Sequence, residues 1–354
     1  MTSAKKPRPN LRAIAERVDL SLTAVSLALR GDSSIPIETR QRVLLAAEEL
    51  NYQYVPRQKK TAKSLLRIAF VIHDYGDHPV SANQFYGHIL TGVEQACREQ
   101  DASLSFVTLQ HDHPVTAELP PVLTHDPSGI LLASPYPDEL IDRIRRESNA
   151  PIVLLDNILD NSPYDSVMAD DVGGAYQATQ YLLNKGHQQI VLISALLYHP
   201  TIIPSFRRRY WGYCAACIDA GVPPLPVAVV PSQLDPEISG LTDKYPEFEA
   251  WLDTLFAKYA PRPTAIFGVC DFLALTILRA LQNMGLRIPN DVAVVGFDDY
   301  SMSRLTTPTL TTVHSYKKAM AWVAVKRLID RIGGDQTPPQ CITLETDLIL
   351  RESS

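Results

Sequence analysis

The stretch NLRAIAERVDLSLTAVSLALRG (10–31) places Leu11, Ile14, Ala15 and Val18 at helical spacing on one face. A polar break follows at Asp19, and Ser21 is the N-cap expected for a second helix. In that helix Ala24, Val25, Ala28 and Leu29 form the inward stripe, which leaves Leu22, Thr23, Ser26, Leu27 and Arg30 outside. Two short helices with a tight turn and a free second helix have the geometry that enters a DNA major groove. An ordinary helical hairpin with a solvated outer face fits the same residues. The segment PIETRQRVLLAAEELN (36–51) predicts a third helix with Pro36 in its first turn. Val43, Leu44, Ala47 and Leu50 are its expected apolar face, closing a small three-helix core. YQYVPRQKKTAKSLLR (52–67) then carries Arg57, Lys59, Lys60, Lys63 and Arg67 among few apolar residues and is read as a basic linker.

From Arg67 the pattern changes. Short, nearly continuous apolar runs predict buried parallel strands at 67–72, 104–109, 129–134, 151–156, 189–194, 226–230, 264–269 and 292–297. Amphipathic helices are expected between them over 84–99, 137–146, 173–185, 206–220, 248–258 and 272–284. In the first of these, Phe85, Ile89, Val93 and Ala96 share a face. This βαβ repetition predicts a doubly wound α/β architecture. The run is too long for one such sheet, so two similar subdomains with a cleft between them are expected, with ligands outside the carboxyl ends of the strands.

Charge divides the chain in the same place. Residues 1–67 hold 13 Lys and Arg against 6 Asp and Glu, whereas the whole chain has a net charge of −6. A basic head on an acidic body fits a head that meets phosphate and a body that does not. No apolar run approaches the roughly 20 residues of a membrane span, and MTSAKKPRPN has no apolar core behind its charges, so neither a membrane anchor nor a signal peptide is expected. A cytoplasmic location follows, and five scattered cysteines suit a reducing compartment. Cys214 and Cys217 form a C-x-x-C, but within an amphipathic helix and without the second pair that a metal site needs. No metal or cofactor is expected.

The chain has no G-x-x-x-x-G-K-[ST], G-x-G-x-x-G, H-E-x-x-H or G-x-S-x-G. His111, Asp112 and His113 are the densest histidine group and fall in a polar loop. Gly173 and Gly174 open a helix and serve equally as a conformational pair or as an anion site. Asp156, Asp271, Asp298 and Asp299 stand at strand ends where a ligand cleft is expected, with no nucleophile or phosphate cradle beside them. Binding rather than catalysis is the better-supported class, and no enzyme activity is expected.

Several segments occur in one collinear order: IAERVDLSLTAVSLALRG, TRQRVLLAAEELNY, NQFYGHILTGVEQA, DDVGGAYQATQYLLNKGHQQIVLIS, RRRYWGYCAACIDAG, PTAIFGVCDFLAL, LRIPNDVAVVGFDDY and PTLTTVH. In these the chain resembles the lactose-repressor/galactose-repressor family of bacterial transcription regulators over essentially its whole length. The resemblance implies an all-α helix-turn-helix headpiece (8–54), a basic hinge (55–66) and a periplasmic-binding-protein-like body (67–354). The body is expected to hold one subdomain over about 67–165 and 315–338 and a second over about 166–314 and 339–354. A homodimer is implied, reading near-palindromic operator DNA under control of a small effector, a sugar being the expected class. The family's tetramerising C-terminal helix has no counterpart in the closing LILRESS, which favours a dimer.

Carried over by position, Leu22, Thr23 and Leu27 fall where the family's recognition helix meets base edges, and Ser21, Ala24, Ser26 and Arg30 fall near the DNA backbone. Leu27 stands where many members have Arg, and Leu22 is apolar too, so apolar contacts, for example to thymine methyls, are expected in place of bidentate hydrogen bonds. Arg57 and its basic neighbours are expected on phosphates. The linker lacks the family's Ala-Ala-x-x-Leu pattern, and neither Val55 nor Leu65 stands where the minor-groove wedge belongs. Within the cleft, Arg209 matches the family's effector-contacting Arg and Asp271 the acidic member of its Asn-Asp pair, with Cys270 replacing the Asn. The two are expected to face each other across the cleft, binding an effector or pairing with one another. Asn83, Phe85 and Tyr86 are expected on the opposite wall, where an aromatic ring can stack on a sugar or belong to the core.

Overall fold

The computed structural model describes residues 11–29, 35–50, 52, 65–74, 84–110, 117–133, 136, 138–159, 162–194, 204–234 and 245–354. The chain divides into two units, Met1–Ser64 and Leu65–Ser354.

Among its described residues the first unit contains three helices, α1 (Leu11–Val18), α2 (Leu22–Leu29) and α3 (Ile37–Glu49). Helix α1 ends in a Schellman-type turn: Asp19 takes φ +54, and the Leu20 amide donates to the Ala15 carbonyl at 3.0 Å. Arg42 of α3 donates to the free Val18 carbonyl at 3.0 Å. Ser21 caps α2, its Oγ accepting from the Ala24 amide at 3.2 Å. The core is Ile14, Ala15, Val18, Val25, Ala28, Val43, Ala46 and Ala47, with Leu50 half-buried against it. Leu44 is a correction: it is 50% exposed, and Ala46 takes its place inside. Positions 43, 46, 47 and 50 follow the i, i+3, i+4, i+7 rule, whereas 44 is turned about 100° from 43.

The second unit is built on two six-stranded sheets. Strands β1 (Leu66–Asp74), β2 (Ala102–Gln110), β3 (Gly129–Ala133), β4 (Ile152–Leu155), β5 (Asp165–Ala169) and β11 (Cys341–Leu344) form the first, in the order β11-β5-β4-β3-β1-β2 and parallel throughout. Strands β6 (Ile190–Ser194), β7 (Ala228–Val229), β8 (Ala265–Gly268), β9 (Ala293–Phe297), β10 (Thr311–Ser315) and β12 (Thr346–Ile349) form the second, in the order β12-β10-β9-β8-β6-β7, with only β12 antiparallel to its neighbour. Helices cover both faces of each sheet, as parallel strands buried on both sides require. On the first sheet, α4 (Gln84–Glu99) and α11 (Lys317–Ile332) pack on one face, and α5 (Pro121–Thr124) and α6 (Asp138–Ser148) on the other. On the second, α9 (Tyr245–Ala257) and α10 (Asp271–Asn283) share one face, α7 (Asp171–Asn184) lies on the other, and α8 (Pro204–Asp219) reaches both clusters.

The chain crosses between sheets after β5, after β10 and after β11. Two expected boundaries are corrected by this. Residues 166–169 continue a strand of the first sheet rather than opening the second subdomain, and 341–344 belong to the first sheet as well. Strands β5, β10, β11 and β12 and helix α11 are additions to the expected elements. The apolar run at 226–230 shrinks to a two-residue strand, because Pro224, Pro226 and Pro231 around it have no amide to give a ladder. No helix among the described residues is long and apolar enough to cross a membrane.

Candidate functional site

On the headpiece, the Ser21 cap fixes where α2 begins and Val25 and Ala28 bury its inner stripe. Leu22 is then left 52% exposed beside an exposed Thr23, while Ala24, Ser26 and Leu27 are half-buried along the helix. Arg30 and Arg57 lie outside the described residues, as does the linker expected to hold a hinge.

In the body, polar groups gather at the carboxyl ends of strands from both sheets. Arg209 of α8 is their centre and is buried. Its Nε donates to Asp171 Oδ1 at 2.9 Å, Nη1 to the Val269 carbonyl at 2.8 Å and to Asp298 Oδ2 at 3.3 Å, and Nη2 to Asp298 Oδ1 at 3.0 Å. The guanidinium lies 3.8 Å from the centre of the Phe297 ring. Burial works against its charge, but Asp298 and Asp171 outweigh burial and hold the proton more firmly than usual. Asp171, the first residue of α7, is pushed up to about 6 by burial against the pull of Arg209. Asp156, just beyond β4, is pushed up to about 8 by burial and by the nearby Asp171, with Arg209 pulling the other way. Tyr86 of α4 donates to Asp156 Oδ2 at 3.0 Å. Lys317, opening α11, donates to the Asp298 and Ser315 carbonyls, and burial lowers its proton affinity. Among the described residues, four buried polar atoms at strand ends of the two sheets have no partner: Asn157 Nδ2, Asp171 Oδ2, Ser194 Oγ and Ser315 Oγ. Each belongs to a residue at, or just beyond, the carboxyl end of a strand, where an α/β sheet binds its ligands.

Asp271 does not face Arg209. It is fully buried, and its Oδ2 accepts from the Tyr300 amide at 2.7 Å and the Ser303 hydroxyl at 2.6 Å, while Oδ1 accepts from the Thr312 hydroxyl. Gly296 makes this possible, since a Cβ there would stand 2.2 Å from Asp271 Oδ1. Burial pushes Asp271 up to about 7, opposed by these hydrogen bonds. It ties the start of α10 to β10 and the 300–303 turn, while Asp171 and Asp298 take the Arg209 partnership. Asp299 is held away from that cluster by Arg304, Arg351 and His314, whose hydrogen bonds overcome burial and bring it down to about 2. Asn83 lies outside the described residues. Phe85 is buried in the core of the first sheet, its ring edge-on to Tyr86 at 5.1 Å. Tyr86 and Arg209 are therefore brought to the cluster, Phe85 supports it from behind, and Asp271 serves a neighbouring turn. Asp171 and Lys317 were not singled out from the sequence, because the strands before them, β5 and β10, were not recognised. Among the described residues no group of three or more His, Cys, Asp or Glu could hold a metal ion.

Residues 10–54 match the model of the bacterial regulatory proteins of the lacI family, and residues 179–354 match that of a periplasmic binding protein-like domain. The HTH-type transcriptional repressor PurR of Pasteurella multocida (strain Pm70) is 29% identical over 351 residues, covering 97% of this chain and 98% of that protein. The HTH-type transcriptional regulator CelR of Thermobifida fusca is 29% identical over 363 residues, covering 99% of each. Among solved structures, a CelR–cellobiose complex is 27% identical with a TM-score of 0.67, covering 98% of this chain and 100% of that one. The lac repressor dimer bound to operator and an anti-inducer shares the fold, with a TM-score of 0.68 at 22% identity over 98% of this chain and 99% of that one. The headpiece and the two-sheet body thus have matched counterparts in the same order, and the chain joins a lacI-family helix-turn-helix domain to a periplasmic binding protein-like domain.

Proposed function

We propose that the protein is a cytoplasmic, homodimeric transcription repressor that binds operator DNA through its headpiece and releases or secures it in response to a small effector held at the Arg209 cluster. The observation that carries this reading is the union, in one chain, of a headpiece with a free second helix and a two-sheet body whose strand ends converge on a buried Arg and carry buried polar atoms without a partner among the described residues. PurR is a transcriptional repressor and CelR a transcriptional regulator that has been solved with cellobiose, which supports repression and a sugar-like polyol as effector here. The effector acts through differential affinity for two arrangements of the body. Tyr86, Asp156, Asn157, Asp171, Ser194 and Arg209 are the groups assigned to hold it.

On DNA, Leu22 and Leu27 are assigned to thymine methyls and Thr23 to a base edge, with Ser21, Ala24, Ser26, Arg30 and Arg57 near phosphates. Selection of binding sites from random duplexes by the full chain tests this. A near-palindromic site is expected, with an A·T pair whose preference relaxes in Leu27→Ala by about 1–3 kcal/mol, the scale of one specific base contact. A full chain that selects no duplex sinks the regulator reading, and an unchanged Leu27→Ala profile sinks the assignment of that residue.

A further inference from the structure

The Arg209 cluster contains more acid than base. Asp156, Asp171 and Asp298 surround one guanidinium, and four of its five N–H groups are already committed. Asp298 receives Arg209 on both oxygens, whereas Asp171 does so on Oδ1 alone, leaving Oδ2 buried and without a partner among the described residues. Asp156 has one side-chain donor among the described residues, the Tyr86 hydroxyl. Lys317, a second cation, directs its hydrogen bonds to the carbonyls of Asp298 and Ser315 rather than to a carboxylate, and Arg208 acts on Asp171 as a nearby charge without a hydrogen bond to it among the described residues. Among the described residues, Arg209 and Lys317 spend most of their donors on protein oxygens, and two carboxyl groups are left in want of donors. Burying such groups without a partner is expensive, and a charged donor satisfies them best.

We infer, resting on the assignment of this cluster as the effector site, that the effector is a hydroxylated primary amine of sugar size, whose ammonium bridges Asp156 and Asp171 Oδ2. Its hydroxyls take Asn157 Nδ2 and the hydroxyls of Ser194 and Ser315, the other buried strand-end atoms without a partner among the described residues. In the empty site Asp156 keeps its own proton, because burial beside Asp171 disfavours a second charge. The ammonium replaces that proton: Asp156 ionises, one H⁺ goes to solvent, and the ligand nitrogen retains its charge throughout.

The test is titration calorimetry of the full chain at pH 6, where an amino sugar is fully charged, with glucosamine, galactosamine and mannosamine, with their parent hexoses, and with glucuronate and galacturonate. Each is measured in two buffers of different ionisation enthalpy. One amino sugar is expected to bind at least tenfold more tightly than its parent, with release approaching one proton, and neither uronate is expected to compete with it. In Asp156→Asn the tenfold preference and the proton release are both lost. A parent sugar or uronate that binds as tightly as the amines overturns the inference, as does an absence of binding by all three amines or amine binding without proton release. Gel shifts of the same preparation on random and selected duplexes keep the two readings apart. Failure to bind DNA removes the regulator assignment, whatever the sugars do, and DNA binding with no amine preference removes only the inference about the effector.

Discussion

Replacing Arg209 by Met tests how the body is held together at its centre. Methionine fills much of the same space beside Phe206 and Phe297, but supplies no charge and no donor. The substitution removes the bonds to Asp171 at 2.9 Å, to Asp298 at 3.0 and 3.3 Å and to the Val269 carbonyl at 2.8 Å, all of them buried. Breaking a buried pair by deleting one partner costs about 3–5 kcal/mol, because the other charge stays behind unpaired. At about 2–4 °C per kcal/mol for a unit of this size, melting falls by on the order of 10 °C. The deficit must also depend on pH. Asp171 already sits at about 6 through burial against the pull of Arg209, and losing that pull raises it further. A carboxyl raised in the folded state contributes its full stability below its unfolded value near 4 and loses it as pH rises through the folded value. Melts of the full chain followed by circular dichroism should therefore show a deficit that is small at pH 5 and large at pH 8. The double variant Asp171→Asn with Arg209→Met should recover part of it. A melting point within 2 °C of the parent, or a deficit that stays flat from pH 5 to 8, refutes the account of Arg209 as the neutralising centre.

The parent itself should become more stable on acidification from pH 8 to 5, since Asp156, Asp271 and Asp171 are raised to about 8, 7 and 6 mainly by burial. The same series in Asp156→Asn should be flatter, and an unchanged slope would count against Asp156 as a main contributor. In Gly212→Ala the new Cβ would stand 2.2 Å from the Val172 carbonyl, where α7 and α8 meet, so a loss of about 2 kcal/mol or more is expected by urea unfolding, and a neutral result contradicts that contact. In the headpiece Val43→Ala should cost about 2 kcal/mol, whereas Leu44→Gln should stay within about 0.5 kcal/mol, both read from headpiece amide exchange. Equal losses would place Leu44 in the core after all.

What could be read in advance, and what could not, follows from how polarity is used at the sheet edges and crossovers. Strands β1, β3, β4, β6, β8 and β9 lie inside their sheets between two helical layers, so both faces must be apolar and the run stands out. Strand β5 is buried too, yet it begins at Asp165, which Arg327 and Arg331 of α11 and the Gln340 amide neutralise. Its charge is satisfied by residues far along the chain, and no local pattern announces them. Strands β11 and β12 are edge strands with half-exposed side chains, where a continuous apolar run would invite unwanted pairing. Missing these strands misplaced two crossings between the sheets, and with them the residues that sit at crossings. Asp171 follows β5 and Lys317 follows β10, so the partner of Arg209 could not be chosen correctly from sequence. Asp271 was the natural candidate, since it follows the legible strand β8 and matches a family position, but Gly296 leaves room for its carboxylate to turn into the sheet end. The two features that did stand out, the Ser21-capped second helix and Arg209, depend on short-range or single-residue signals. Recognition on the headpiece is local in sequence, whereas the charge balance of the cleft is assembled from segments as distant as Tyr86 and Lys317. The charge balance around Arg209 is therefore a property of the fold's crossovers, and a change in any one crossing residue should alter it.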